Sequence, residues 1–467
     1  MGSDGATVEH LQQFLRDLTP ERRTRLIAGL ERALLLGEAV PGAELVLREL
    51  RRIISEAEER SPRLGNAARL FFTALEPFIV DDAAAQKHPG RIARAALGPI
   101  WHWIRRDFMA AEATQFSEAV NEALLAGDRA AALVHAQLFQ EQFAERLRVA
   151  LDALTDDEPG RWRFYAKIST PRAADDVVVL LDVLRGQSRL AELAAQLPDH
   201  LTNLAGSALE QVRAAVERAT KGQPQLYVYA ILVAASRLAA PWQIVRLAIK
   251  AAGSDAAARV AETPYAVAVT ITLSDLERLV RELQGQLRGG RGAVAVTGLL
   301  KAVHDTARGL RTELALPVES AWGRQFGAVR TQISELLKSE LEAAPGVVRR
   351  LLRTRSSKAA ASAALDPIDL AQAAAMVDLV AACRAFAGEL AINELSMRTY
   401  SELRQYLDAA SRGLVEAVRH ATPEDRPLLQ AQCDAALDFC ARMSAPDPVA
   451  AASRTSAAPA ARKVAQG

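Results

Sequence analysis

Five times in this chain a threonine or aspartate stands directly before a proline at the head of an apolar-periodic run: Thr19-Pro20, Thr170-Pro171, Thr263-Pro264, Asp366-Pro367 and Thr422-Pro423. The first side chain can accept from the orphan N–H groups of a helix start. Proline one place later loses nothing, because its missing N–H would be unpaired there anyway. Asp369 and Asp425 then fall in first turns, where the helix dipole favours an anion. All five read as helix starts. A chain punctuated this way, with half its residues apolar, only 5% aromatic, and few glycines (26) or prolines (20), is built for helix rather than strand.

Thr263-Pro264 decides the most strand-like segment. Tyr265 to Thr272, "YAVAVTIT", alternates as a strand would, with Tyr265, Val267, Val269 and Ile271 on one side. The apolar spacing nevertheless continues through Leu276, Leu279 and Val280, so one helix over about 264–285 is expected, with a strand at 265–272 as the alternative. Helical hairpins are marked by Gly-acid turns at Gly37-Glu38 and Gly127-Asp128, and more loosely by "GQLRGGRGAV". After Gly127, residues Ala132, Ala136, Phe139, Phe143, Leu147, Ala150 and Leu154 recur at steps of three and four, forming a packing seam.

The expected fold is all-α: antiparallel helical hairpins, about fifteen to twenty helices, in a multi-helix bundle or an irregular α-solenoid-like stack. Helical regions are expected at 1–155, 156–353 and 366–443. Residues 354–365, "TRSSKAAASAAL", read as a linker. Residues 444–467 have no long apolar side chain except valine and read as a disordered tail.

The densest aromatic stretch lies between Phe71 and Phe108. Within "GPIWHWIRRDF", a helix starting at Pro99 gathers Leu97, Ile100, Trp101, Ile104 and Phe108 on one face. Trp103 then falls at the margin, with His102, Arg105 and Arg106 opposite. Trp101 is expected in the core. A sharper alternative makes Trp103, Arg105 and Arg106 part of a partner-binding surface, since tryptophan and arginine are enriched at interface hot spots.

Catalytic motifs are scarce. The sequence has no phosphate-cradling P-loop, no dinucleotide glycine motif, no H-E-x-x-H and no G-x-S-x-G elbow. His304-Asp305 resembles the doublet of helical metal phosphohydrolases, but the further His and Asp such sites need are not patterned around it; a helix-surface pair is the plainer reading. Asp81-Asp82, Asp156-Asp157 and Asp175-Asp176 read as capping or solvated acids rather than Mg²⁺ ligands. Cys433 and Cys440 lie about 10 Å apart along one helix, too far for a disulfide with each other. With Cys383 and no C-x-x-C, they fit a reducing cytoplasm.

The N-terminus lacks a basic-then-apolar leader, and the longest uncharged run, Gly222 to Ser236, is short for a membrane span, so neither a signal peptide nor a spanning segment is expected. Net charge of +1 argues against a protein built wholly around nucleic acid while leaving room for a local basic patch, and the excess of arginine over lysine, 49 to 8, reads as GC-rich bacterial coding. The strongest basic run is Arg349, Arg350, Arg353, Arg355 and Lys358. It is either a positively charged helix C-terminus or a weak contact for anionic lipid or nucleic acid.

The function these features favour is a non-enzymatic cytoplasmic adaptor or scaffold with a protein partner and no cofactor or metal, homo-oligomerisation being left open. The alternative is an enzyme or small-molecule binder whose pocket is assembled between helices.

Overall fold

Helices with one apolar face must bury it against one another, and the described part of this chain does so almost entirely through helix–helix contact. The computed structural model describes residues 65–82, 86–288, 293–353 and 365–445, and the isolated positions 26, 30, 46 and 47. The expected start at Thr19-Pro20, the turn at Gly37-Glu38, the turn residues 289–292, linker residues 354–364 and the tail from 446 lie outside the described residues. The chain divides into two units: Met1–Ala85 with Ile92–Arg185, and Gln86–Arg91 with Gly186–Gly467.

The described part of the first unit opens with α1 (Asn66–Phe71), a 3₁₀ turn (Thr73–Phe78) and strand β1 (Ile79–Val80). Strand β2 (Ile92–Ala93) pairs with β1 in parallel, Ile79 opposite Ile92. Helices α2 (Arg94–Trp103), α3 (Ala110–Leu125), α4 (Arg129–Asp152), α5 (Glu158–Ala166) and α6 (Ala173–Gln196) follow; the division between units falls inside α6. The α3–α4 hairpin has the expected turn. Gly127 takes a left-handed φ of +76°, and the Asp128 side chain accepts from the Ala131 N–H at 2.9 Å. The α4 seam from Ala132 through Leu147 is buried. Gln140 sits within it, 5% exposed, and donates to the Phe71 carbonyl at 2.7 Å, satisfying the end of α1.

The tryptophan helix departs from its expected course twice. It starts at Arg94, so Pro99 lies inside it; the residue whose carbonyl loses a partner, Ala95, is exposed and has water available. Beyond Trp103 the backbone widens into one π turn, Ile104–Phe108, closed by Met109 N–H to Ile104 C=O at 2.9 Å. The wider turn brings Phe108 under Trp103, stacked at 4.6 Å and 20°. Trp103 is therefore not marginal: it is 2% exposed, more buried than Trp101 at 9%, and also meets Phe143 and Phe164. Trp101 packs on Phe71, Phe116 and Phe139.

The second unit continues with α7 (Gly206–Thr220), α8 (Tyr227–Ser236), α9 (Val245–Ala252), α10 (Ala257–Ala261), α11 (Ala266–Arg288), α12 (Ala293–Glu313), α13 (Ala321–Leu352), α14 (Pro367–Leu390), α15 (Asn393–Arg419) and α16 (Arg426–Met443). The strand-like segment 265–272 enters helix: α11 is one unbroken helix, and the only named strands among the described residues are β1 and β2. Asp366 caps α14 through the Ile368 N–H at 2.8 Å. The threonines act differently. Thr170 donates to Asp176, Thr263 donates back to the Val260 carbonyl, and Thr422 accepts from the Asp425 N–H in a turn before α16.

Helix α14 packs against α12, α13, α15 and α16. Its length and mean hydropathy, 1.5 over its most apolar window, would suit a membrane crossing, yet half of that window is buried inside the unit. Asp378 in its middle is 3% exposed and meets Arg442 of α16, 8% exposed, at 2.7 Å; Arg442 also bonds Asp438 at 2.7 Å. These features make α14 the core helix of a bundle.

Two expectations follow. Trp103→Ala and Trp101→Ala should each lower stability by about 3–5 kcal/mol in urea unfolding, Trp103 at least as much as Trp101; a small loss at Trp103 alone would contradict the π-turn stacking. Burial raises the Asp378 carboxyl above the ordinary carboxylate range even beside Arg442. A raised native pKa means the fold holds that proton more tightly than the unfolded chain, so this group's contribution falls as pH climbs through the carboxylate range. Arg442→Met should therefore cost about 3–5 kcal/mol at neutral pH and less in acid, where Asp378 is neutral, while Arg442→Met with Asp378→Leu should regain much of the loss. Equal costs at both pH values would contradict the assignment.

Candidate functional site

The sequence-predicted surface residues do not converge. Trp103 is interior and cannot contribute to a surface. Arg105 and Arg106 are exposed on the π turn, where Arg106 bonds Asp107 at 2.8 Å and holds its carboxyl below the usual range. Arg349 and Arg350 occupy the last turn of α13, and Arg353 is its C-cap. Arg349 is already engaged, bonding Glu402 at 2.6 Å with its guanidinium 5.5 Å from the Tyr406 ring. Arg350 and Arg353 are exposed; Arg355 and Lys358 lie outside the described residues.

An apolar surface lies elsewhere in the first unit. On the outer side of α4, opposite the seam, Val134 is 65% and Leu138 53% exposed, with Val149 further along the helix. Leu125 beside the hairpin turn is 90% exposed, and Trp162 on α5 is 73% exposed. The other side of α5 turns Phe164 onto Trp103. Exposed glutamates at 141 and 145 interrupt the apolar stripe. One exposed leucine needs no explanation, but leucine, valine and tryptophan exposed on neighbouring helices are what partner surfaces present.

The second unit holds a cavity of about 340 Å³ between α11, α12 and the 3₁₀ turn Pro241–Ile244. Trp242 forms one wall. Its indole lies on Gly309, where an added Cβ would stand 2.3 Å from the ring, so only glycine admits it. Asp275 and Arg278 line the α11 side, Lys301 and Asp305 the α12 side. Asp275 is held by a two-pronged ion pair from Arg91, the two side chains 16% and 17% exposed. Arg91 reaches it from the segment Gln86–Arg91, which belongs to this unit. His88 of the same segment is 7% exposed, its Nδ1 3.4 Å from the Ser274 hydroxyl. Gly90, at φ +65°, leaves room for Val228, which an added Cβ would meet at 2.6 Å. Arg278 is held more loosely, 3.7 Å from Asp275 and 3.5 Å from Glu282.

Of the His304-Asp305 doublet, Asp305 takes a hydrogen bond from Lys301, while His304 lies against Phe386 at 5.0 Å with its Nδ1 buried and unpartnered. The acidic pairs act locally. Asp157 caps α5 through Gly160, Asp175 pairs with Arg172, Asp176 accepts from Thr170, and Asp81 meets Arg94 at 2.5 Å. Burial pushes all three thiols up, which disfavours the reactive thiolate. Among the described residues no group of three His, Cys, Asp or Glu is placed to hold a metal ion. Comparison with protein-family models, with curated proteins and with solved structures finds no match to the chain.

Sequence reading missed the cavity because Trp242, Asp275 and Lys301 come from three separate elements. The available signal was the oppositely charged pairs at helical spacing, Asp275 with Arg278 and Lys301 with Asp305, beside Gly298. Arg91→Ala should lower stability by about 1–3 kcal/mol, because Asp275 loses both charged hydrogen bonds in a mostly buried place. Arg419→Ala, which breaks an exposed pair with Glu416, should leave the urea midpoint unchanged. Equal midpoints for the two variants would contradict the anchoring role of Arg91.

Proposed function

We propose that this chain is a non-enzymatic helical interaction protein, an adaptor or scaffold, whose first unit presents the outer side of α4 and α5 to a protein partner. The observation that carries the reading is Trp162, 73% exposed on a helix whose other side is packed on Trp103. A large aromatic ring held out by a rigid core is typical of an interface anchor. Val134 and Leu138 on the outer side of α4 offer further apolar area, and exposed Glu141 beside them favours a partner with a basic residue next to its apolar stripe, Glu145 being already paired with Arg148. Anionic lipid or nucleic acid contact through residues 349–358 would rest on Arg350 and Arg353 among the described positions, since Arg349 is tied to Glu402. A second reading, a small-molecule-binding protein, is favoured by the polar-walled cavity beside Trp242, within the usual size range of ligand sites.

Affinity capture from lysate of the source cells, with the full chain as bait, tests the main reading. The expected result is a protein retained by the parent and lost with Leu138→Glu plus Trp162→Glu, whose melting temperature stays at the parent value because both side chains are exposed. The same proteins retained by both baits would overturn it.

A further inference from the structure

The cavity beside Trp242 has charges whose free valences specify a ligand. Each oxygen of Asp275 accepts from Arg91, whose guanidinium compensates its charge and leaves it the weaker partner for a ligand cation. Arg278, with no carboxylate nearer than 3.5 Å, keeps donors to offer. Lys301 spends one N–H on the Asp305 Oδ2, leaving two more on the ammonium and the Oδ1 of Asp305 as acceptor. The open partners are therefore two cationic donors and one carboxylate oxygen.

Their placement is also polarised. Helices α11 and α12 pack together across a four-residue connection and so run antiparallel. At 1.5 Å per residue, Arg278 and Lys301 stand about 15 and 12 Å from the helix ends at that connection, while Asp275 and Asp305 stand about 20 and 18 Å away. The basic pair thus shares one level and the acidic pair the next, about 5 Å further on. Gly298 lines the cavity about one turn nearer the connection than Lys301, and an added Cβ there would meet nothing within 4 Å, so the space beside the basic pair is open; Trp242 supplies an apolar side.

We propose that this cavity binds a small zwitterion of the free amino acid class. The carboxylate lies between Arg278 and Lys301, the ammonium on Asp305, and the aliphatic part against Trp242. Carboxylate recognition by an arginine and a lysine supplies charge-assisted hydrogen bonds, and the opposed acid excludes simple anions. The inference does not depend on the α4–α5 surface, and either can stand without the other.

Isothermal titration calorimetry on the full chain tests it, with the proteinogenic amino acids and γ-aminobutyrate as probes and butylamine and butyrate as controls. The expected result is saturable binding of at least one zwitterion at millimolar concentration or below, with both controls at least about tenfold weaker. Asp305→Asn and Lys301→Met should each weaken that binding by about tenfold or more. Gly298→Leu should abolish it without lowering the melting temperature, since leucine fills open space and favours helix more than glycine does. No saturable heat with any zwitterion up to about 10 mM, controls that bind equally well, or binding unmoved by Gly298→Leu would each overturn the proposal.

Discussion

A charge removed from water must meet its opposite, and in this protein the places where that happens pin the helices of the second unit. Asp378 and Arg442 lie deep between α14 and α16, and Arg91 holds Asp275 on α11. Apolar helix faces are fixed by the fit of side-chain shapes, and a buried ion pair adds a directional constraint to that fit. A buried carboxylate beside a guanidinium tolerates no slip, since a shift of one residue would strand both charges. In the first unit an uncharged group does the equivalent work: the Gln140 amide closes onto the end of α1 in the middle of an otherwise apolar seam. The aromatic cluster around Trp101 and Trp103 then supplies bulk where Gln140 supplies position.

This division of labour bears on function. Because the Phe164 side of α5 is packed on Trp103, Trp162 is held outward by a core rather than by a loose loop. In the second unit the Arg91–Asp275 pair fixes one wall of the cavity and leaves Arg278 loosely held, while Gly309 lets Trp242 close one side and Gly298 keeps the interior open. Each candidate surface thus has a rigid backing and a few groups with unmet bonding capacity, the combination that recognition needs.

What could be read from the sequence was local. Asp366-Pro367 announced the start of α14, Gly127-Asp128 announced a hairpin, and the three- and four-residue spacing carried α11 straight through a segment that alternates like a strand. These features depend on a few neighbouring residues and on backbone sterics. The π turn after Trp103 depends on Phe108 finding a partner to stack on, and the inclusion of Pro99 within α2 depends on which side of the helix meets water; neither is encoded in periodicity. The docking of Gln86–Arg91 on α11 joins residues 184 positions apart, and the cavity joins three elements, so composition and spacing could mark their charged pairs without showing that they face one another.

Native-state hydrogen exchange across α14 tests most directly the claim that buried charge pairs lock this packing. The amides around Asp378, from Val377 to Ala387, should exchange only through global unfolding, with protection matching the stability of the unit. Exchange of these amides through local opening, well before the buried segments of α11 and α13, would contradict it.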